Sequence, residues 1–236
     1  MQKILGLMRR AIEDYNMIED GDRVAVGVSG GKDSVTLLEG LAKLRKFYPK
    51  RFEVVAITLD LGFGGMETDL TPISHLCDKL DVEYIIKRTK IGEIVFDIRK
   101  EANPCSLCAT LRRGCLHNVV LEAGCNKLAL GHHLDDSVET FLMNLIYEGR
   151  IGCFSPVTYL SRKNIHMIRP MIYVPEQQII DNIAANNLPI IKNPCTANGF
   201  TQRQRVKNLI TELEGEHKGL KSRLFGAMKR AHIDNW

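Results

Sequence analysis

The sequence predicts an α/β fold, a parallel sheet covered by helices on both faces, with a helix before it and a helical segment after it. Three observations predict this. Short strand-like runs rich in Val and Ile alternate with longer segments of helical periodicity, which is the pattern of βαβ units. Crossovers of that kind are right-handed and leave the strands' carboxyl ends on one edge. Polar clusters follow three of the strands, where such sheets bind ligands: residues 29–34, Asp60 and residues 131–136.

Taken in order, Ile4, Leu5, Met8, Ile12, Tyr15 and Ile18 recur at helical spacing, and Gly21-Asp22 breaks that helix. Arg23–Val28 reads as a buried strand and Val35–Phe47 as a helix. Phe52–Leu59 is a second strand, ending at Asp60, and the glycine-rich residues 61–65 lead to a helix near 69–80. Glu83–Ile86 is a third strand. A loop holding Cys105 and Cys108 precedes a helix reaching about Ala123, Lys127–Leu130 is a fourth short strand, and Ser137–Tyr147 is another helix. Beyond residue 150 the pattern weakens to a turn at Ser155-Pro156, a short strand ending at Ile168-Arg169-Pro170, a helix near 176–186, a loop around Pro194-Cys195 and C-terminal helices. The expected organisation is an N-terminal helix (1–20), a central domain (21–190), and a C-terminal segment with a cysteine loop and basic helices (191–236).

Composition bounds the class. A chain of 236 residues can bury one large core with a small appendage. Its 44% hydrophobic and 25% charged content is that of a soluble globular protein. No apolar run is long enough to cross a bilayer, and the first residues form an amphipathic segment instead of a signal peptide, so a cytoplasmic location is expected. Net charge is +4. Arg203, Arg205, Lys207, Lys218, Lys221, Arg223, Lys229 and Arg230 make the C-terminal segment basic, which suits either RNA phosphates or a solvated helix face. The seven cysteines are odd in number and suggest no disulfide framework; Cys77, Cys115, Cys125 and Cys153 are expected to be small packed side chains.

Ser29-Gly30-Gly31-Lys32-Asp33-Ser34 follows the first strand and opens a helix. Two glycines let backbone N–H groups turn toward an anion at the positive end of the helix, while Lys32 adds charge and the serines add hydroxyls. A Walker A loop has four residues between its glycines and Ser or Thr after the lysine. Here three residues separate Gly27 from Gly31, and Asp33 follows Lys32, which argues against ordinary γ-phosphoryl transfer. The hexapeptide resembles the PP-loop of the N-type ATP pyrophosphatases, a Rossmann-like group that includes GMP and NAD synthetases, tRNA-lysidine synthetase and tRNA thiolases. That resemblance implies cleavage of ATP between its α- and β-phosphates and activation of a substrate oxygen as its AMP ester. Lys32 and the loop backbone suit the charge that develops on the α-phosphate. Mg²⁺ is expected, with Asp33 or Asp136 as a carboxylate ligand.

Cys105 and Cys108 stand three apart at a helix start, where the helix dipole favours thiolate. Spacing alone leaves zinc, a redox pair and an iron–sulfur cluster open. The block Pro104-Cys105-Ser106-Leu107-Cys108 through Leu111-Arg112-Arg113-Gly114 resembles the signature of the tRNA 2-thiocytidine synthetase family, as does Leu128–Asp136. Further likeness runs from about residue 3 to 210, including Leu59-Asp60, Ile168-Arg169-Pro170 and Pro194-Cys195.

The resemblance implies that Cys105, Cys108 and Cys195 ligate a 4Fe–4S cluster with one open iron. It also implies that Val28–Ser34, Leu59, Asp60, Gly131, His132, Asp135 and Asp136 hold ATP, with Lys32 and Asp33 in the chemistry. It implies a tRNA substrate, a sulfur donor such as a cysteine desulfurase or free sulfide, and a homodimer. Asn198 stands where the family has a further cysteine, and Asn198-Gly199-Phe200 replaces its Gly-Ser-Gln neighbourhood. Arg112, Arg113 and residues 202–205 are candidate RNA contacts. Two other readings carry the same loop: an adenylating enzyme with a small-molecule substrate, and a zinc-stabilised RNA-binding module.

Overall fold

The structure, a computed structural model, describes residues 1–65, 67–99, 104–191 and 202–236. Six strands form one sheet in the order β3-β2-β1-β4-β6-β5: β1 (Asp22–Gly27), β2 (Phe52–Asp60), β3 (Glu83–Arg88), β4 (Lys127–Ala129), β5 (Val157–Leu160) and β6 (Ile165–Ile168). All neighbours run parallel except β5 and β6. The parallel sheet expected from the sequence is thus present, with one antiparallel strand added at its edge. Only residues 161–164 join β5 to β6, too few for a parallel crossover, so the two form a hairpin.

Alternation along the central strands divides the core. Val24, Val26, Val54 and Ala56 belong to one cluster with residues of α1 (Gln2–Asp14), α2 (Lys32–Leu44), α3 (Thr71–Leu80), α6 (Glu176–Asn186) and α8 (Leu220–Arg230). Ala25, Val55, Ile57 and Leu128 belong to another, packed against Val119 and Val120 of α4 (Pro104–Glu122). The first helix stops at Asp14, earlier than its apolar spacing suggests; Met17 and Ile18 remain buried beyond it. A third cluster joins α5 (Leu134–Glu148) to α7 (Gln202–Glu216) through Val138, Val206 and Ile210.

The strand order reverses direction at β1, with β2 on one side and β4 on the other. The crevice at the carboxyl ends of β1 and β4 is thus the expected ligand position in a doubly wound sheet. No helix among the described residues is long and apolar enough to cross a membrane.

Candidate active site

Residues 28–31 connect β1 to α2. Gly30 sits at φ +80°, and its carbonyl accepts a hydrogen bond from the Ile191 N–H at 2.9 Å. A Cβ on Gly30 would lie 2.8 Å from the Ile191 Cβ, so conformation and space both call for glycine. Ser34 Oγ donates to the Gly31 carbonyl at 2.9 Å and lies 3.1 Å from Ser29 N and 3.2 Å from Ser29 Oγ, bracing the turn. Gly31 is the N-cap of α2 and no side chain caps that end, which suits an anion.

A cavity of about 540 Å³ opens here. Val28, Ser29, Asp33 and Ser34 line one side, and Leu59, Asp60 and Thr68 line the end of β2. Gly131, His132 and Asp136 come from the β4–α5 connection. The three polar clusters thus meet in one place. The facing wall is α4, through Ala109, Arg112, Arg113 and Leu116, four positions of one helix face. Asp60 is buried and oriented by Thr68, whose N–H and hydroxyl donate to it at 3.1 and 3.0 Å.

The two histidines differ. His133 caps α5: its backbone N–H donates to Asp136 Oδ2 at 3.0 Å, and its Nδ1 accepts from the Asp136 N–H at 3.4 Å. His132 lines the cavity, packs against Phe154 with ring centroids 4.9 Å apart, and has a buried Nδ1 with no hydrogen-bond partner among the described residues. Burial, aided by the Arg169 guanidinium, pushes its pKa down from 6.5 to about 4. His132 is therefore neutral near pH 7, a donor or acceptor of one hydrogen bond and not a cation. Between those two values the unfolded chain binds the extra proton, so stability rises with pH. Thermal melts should lose up to about 3 kcal/mol of stability as pH falls from 6.5 toward 4. His132→Phe should flatten that slope.

Asp135 does not line the cavity. It is buried, its Oδ2 accepts the Glu176 N–H at 2.7 Å, and its Oδ1 meets Lys221 Nζ at 2.7 Å. Pro175, the N-cap of α6, has no side-chain acceptor to offer, and Asp135 serves instead. Lys32 also lies outside the cavity lining. Its Nζ is 2.7 Å from Asp33 Oδ1 and 3.1 Å from Glu176 Oε1. Burial works against the ammonium, but these carboxylates outweigh it and raise the pKa.

The basic C-terminal segment turns several charges inward. Arg203 reaches Glu139 at 3.1 Å and Asp136 at 3.5 Å, and Lys207 meets both Glu176 oxygens at 2.7 Å. Arg205, Lys218, Arg223 and Arg230 stay exposed. Glu139 and Glu176, which the sequence did not single out, are thus part of the surroundings of the phosphate loop.

Cys105 is exposed in the first turn of α4, behind Pro104, and not in the preceding loop. Cys108, one turn on, is buried beside Ile91 and Val95. Cys195 lies outside the described residues, and Ile191 is the last described residue before it. Cys77, Cys125 and Cys153 are buried as expected, while Cys115 is only partly so; burial pushes the Cys77 and Cys153 thiols up to about 12. Among the described residues no group of three His, Cys, Asp or Glu side chains gathers as a metal site.

Residues 5–214 match the PP-loop domain family. The tRNA-cytidine(32) 2-sulfurtransferase of Syntrophotalea carbinolica is 44% identical over 232 residues, covering 96% of this chain and 88% of that one. That of Geobacter sulfurreducens is 40% identical, covering 96% and 89%. The chain belongs to the tRNA-cytidine(32) 2-sulfurtransferase family of PP-loop proteins. Among solved structures, the U34-tRNA thiolase NcsA from Methanococcus maripaludis with its 4Fe–4S cluster superposes with a TM-score of 0.78 at 27% identity, covering 97% of this chain and 78% of that one. The NMN synthetase of Francisella tularensis shares the fold, with a TM-score of 0.53 at 15% identity, covering 100% and 94%. Membership of the PP-loop family agrees with the switch-point position of residues 28–34 and with an ATP-using enzyme.

Proposed function

We propose that this chain is an ATP-dependent tRNA thiolase that converts an anticodon-loop cytidine to 2-thiocytidine. The observation that carries the proposal is the shared cavity: the phosphate loop forms one wall, and the helix bearing Cys105 and Cys108 forms the other. Activation and replacement of one atom then need no long transfer.

In this reading ATP's phosphates lie over Gly30 and Gly31 at the α2 N-terminus, with the hydroxyls of Ser29 and Ser34 beside them. The cytidine C2 oxygen attacks the α-phosphorus, the α–β bridging P–O bond breaks, and pyrophosphate leaves. Lys32 and the loop N–H groups balance the charge that builds at the α-phosphate. Arg112 and Arg113, on the facing wall, suit the phosphates of the target nucleotide. His132, uncharged, suits a hydrogen bond to a base or ribose. Asp33 and Asp136 both line the cavity and offer the hard oxygens that Mg²⁺ prefers.

The soft donors fit an iron–sulfur group. Cys105 is open to solvent in the first turn of α4, and Cys108 follows one turn later against an apolar cluster of Ile91 and Val95. Cys195 supplies the third thiol in sequence. A 4Fe–4S cluster bound there would present the sulfur that replaces the activated oxygen. Loss of AMP then leaves sulfur at C2. The homodimer and the sulfur donor belong to this proposal as well.

Mass analysis of tRNA nucleosides from cells lacking this protein tests the assignment. The expected result is loss of 2-thiocytidine and its return with the wild-type gene. Unchanged 2-thiocytidine, with another nucleoside missing, would overturn the choice of target.

A further inference from the structure

We infer that Glu176 is a positioning residue for the nucleotide site: a resident carboxylate that competes with phosphate for the Lys32 ammonium and is itself balanced by Lys207. The inference rests on the reading of residues 29–34 as an ATP loop. Glu176 is the first residue of α6, and its side chain is only 14% exposed. Its backbone N–H is fixed by Asp135 Oδ2 at 2.7 Å, and Asp135 is held in turn by Lys221 on α8 at 2.7 Å. The backbone at Glu176 is therefore anchored, and Lys207 holds both carboxylate oxygens independently of Lys32. Burial favours its neutral form, yet Lys207 and Lys32 outweigh this and hold its pKa at about 2.

Both Glu176 oxygens accept from Lys207 Nζ at 2.7 Å, while Lys32 Nζ approaches Oε1 at 3.1 Å. One carboxylate thus serves two ammonium groups, and each repels the other across it. Lys207 thereby loosens the hold of Glu176 on Lys32. Without Lys207, Lys32 would be the one cation left on a largely buried carboxylate, less ready to turn to phosphate. The exchange also runs in reverse: when pyrophosphate departs, Glu176 joins Asp33 in offering Lys32 a replacement partner. A group that tightens substrate and product alike adds nothing to turnover, so a competing carboxylate that weakens both favours release. A plain brace that props Lys32 toward the phosphates would give the opposite sign on binding.

Calorimetric titration of the full chain with α,β-methylene-ATP, and separately with inorganic pyrophosphate, decides between them. Glu176→Gln should bind both about three- to tenfold more tightly, and Lys207→Met both about three- to tenfold more weakly. In the Glu176→Gln background, Lys207→Met should have no further effect, because it acts through Glu176. In turnover, Glu176→Gln should lower KM for ATP and kcat together. Weaker binding by Glu176→Gln, or a Lys207→Met effect that persists undiminished in the double variant, overturns the inference. Should Glu176→Gln fail to fold, Lys207→Met alone decides, and unchanged or tighter binding counts against it. A wild-type protein that binds neither ligand would overturn the ATP reading itself, and the inference with it.

Discussion

Replacing Cys105 by Ala is expected to abolish thiolation and iron content while leaving ATP binding intact. Wild-type protein purified without oxygen should be brown and hold about four irons per chain if the three thiols ligate one cluster. Cys105 is exposed in the first turn of α4 and is not part of the cavity lining, so its removal leaves the nucleotide walls in place. The same change at Cys108 should also cost stability. Cys108 is buried in the small apolar cluster with Ile91 and Val95, against which Leu61, Phe96, Leu107 and Leu111 pack. Removing its sulfur leaves a void there, at roughly 1–2 kcal/mol. Iron analysis, calorimetric ATP binding and thermal melts of the two variants separate ligation from packing. Iron retained in Cys105→Ala, or stoichiometric zinc in the wild type, would remove the cluster from the mechanism.

The site was legible wherever it depends on residues close in sequence. A glycine pair between a buried strand and a helix can be read directly, because the backbone turn and the helix N-terminus are local. The convergence of residues 29–34, Asp60 and 131–136 also followed, since a parallel sheet brings its carboxyl ends to one edge. The structure adds α4 as the facing wall, through Arg112 and Arg113.

What escaped the sequence depends on pairings across the chain. Asp135 stands beside Asp136 in a nucleotide-site motif, yet it caps a helix 41 residues away and pairs with a lysine 86 residues away. No local pattern marks Asp135 for α6. Glu176 is one acidic residue at a helix start, a common placement, and only Lys32 and Lys207 on either side of it make it notable. The basic tail shows the same limit. Its charges read as one surface, but packing of Val206 and Ile210 against Val138 turns Arg203 and Lys207 inward and leaves Arg205 exposed. Strand β5 escaped for a different reason: its 4 residues alternate too briefly to show a period.

Lys32→Ala should reduce tRNA-stimulated pyrophosphate release by about 10²- to 10³-fold, the usual cost of removing one preorganised donor from a developing anion. Its effect on stability should be small, and the structure explains why. Glu176 keeps both contacts to Lys207, and the Asp33 side chain is partly exposed to water, so neither carboxylate is stranded. The Lys32 side chain is itself 28% exposed, so the lost ion pairs are screened and worth about 1 kcal/mol or less. Lys32→Arg should not restore activity, because a planar guanidinium bonded bidentately to Glu176 would be held away from the phosphates. Measuring pyrophosphate release beside a thermal melt separates the two effects. A large fall in stability with little change in rate would make Lys32 a structural partner of Glu176 and leave the α2 N-terminus as the main support for the phosphates.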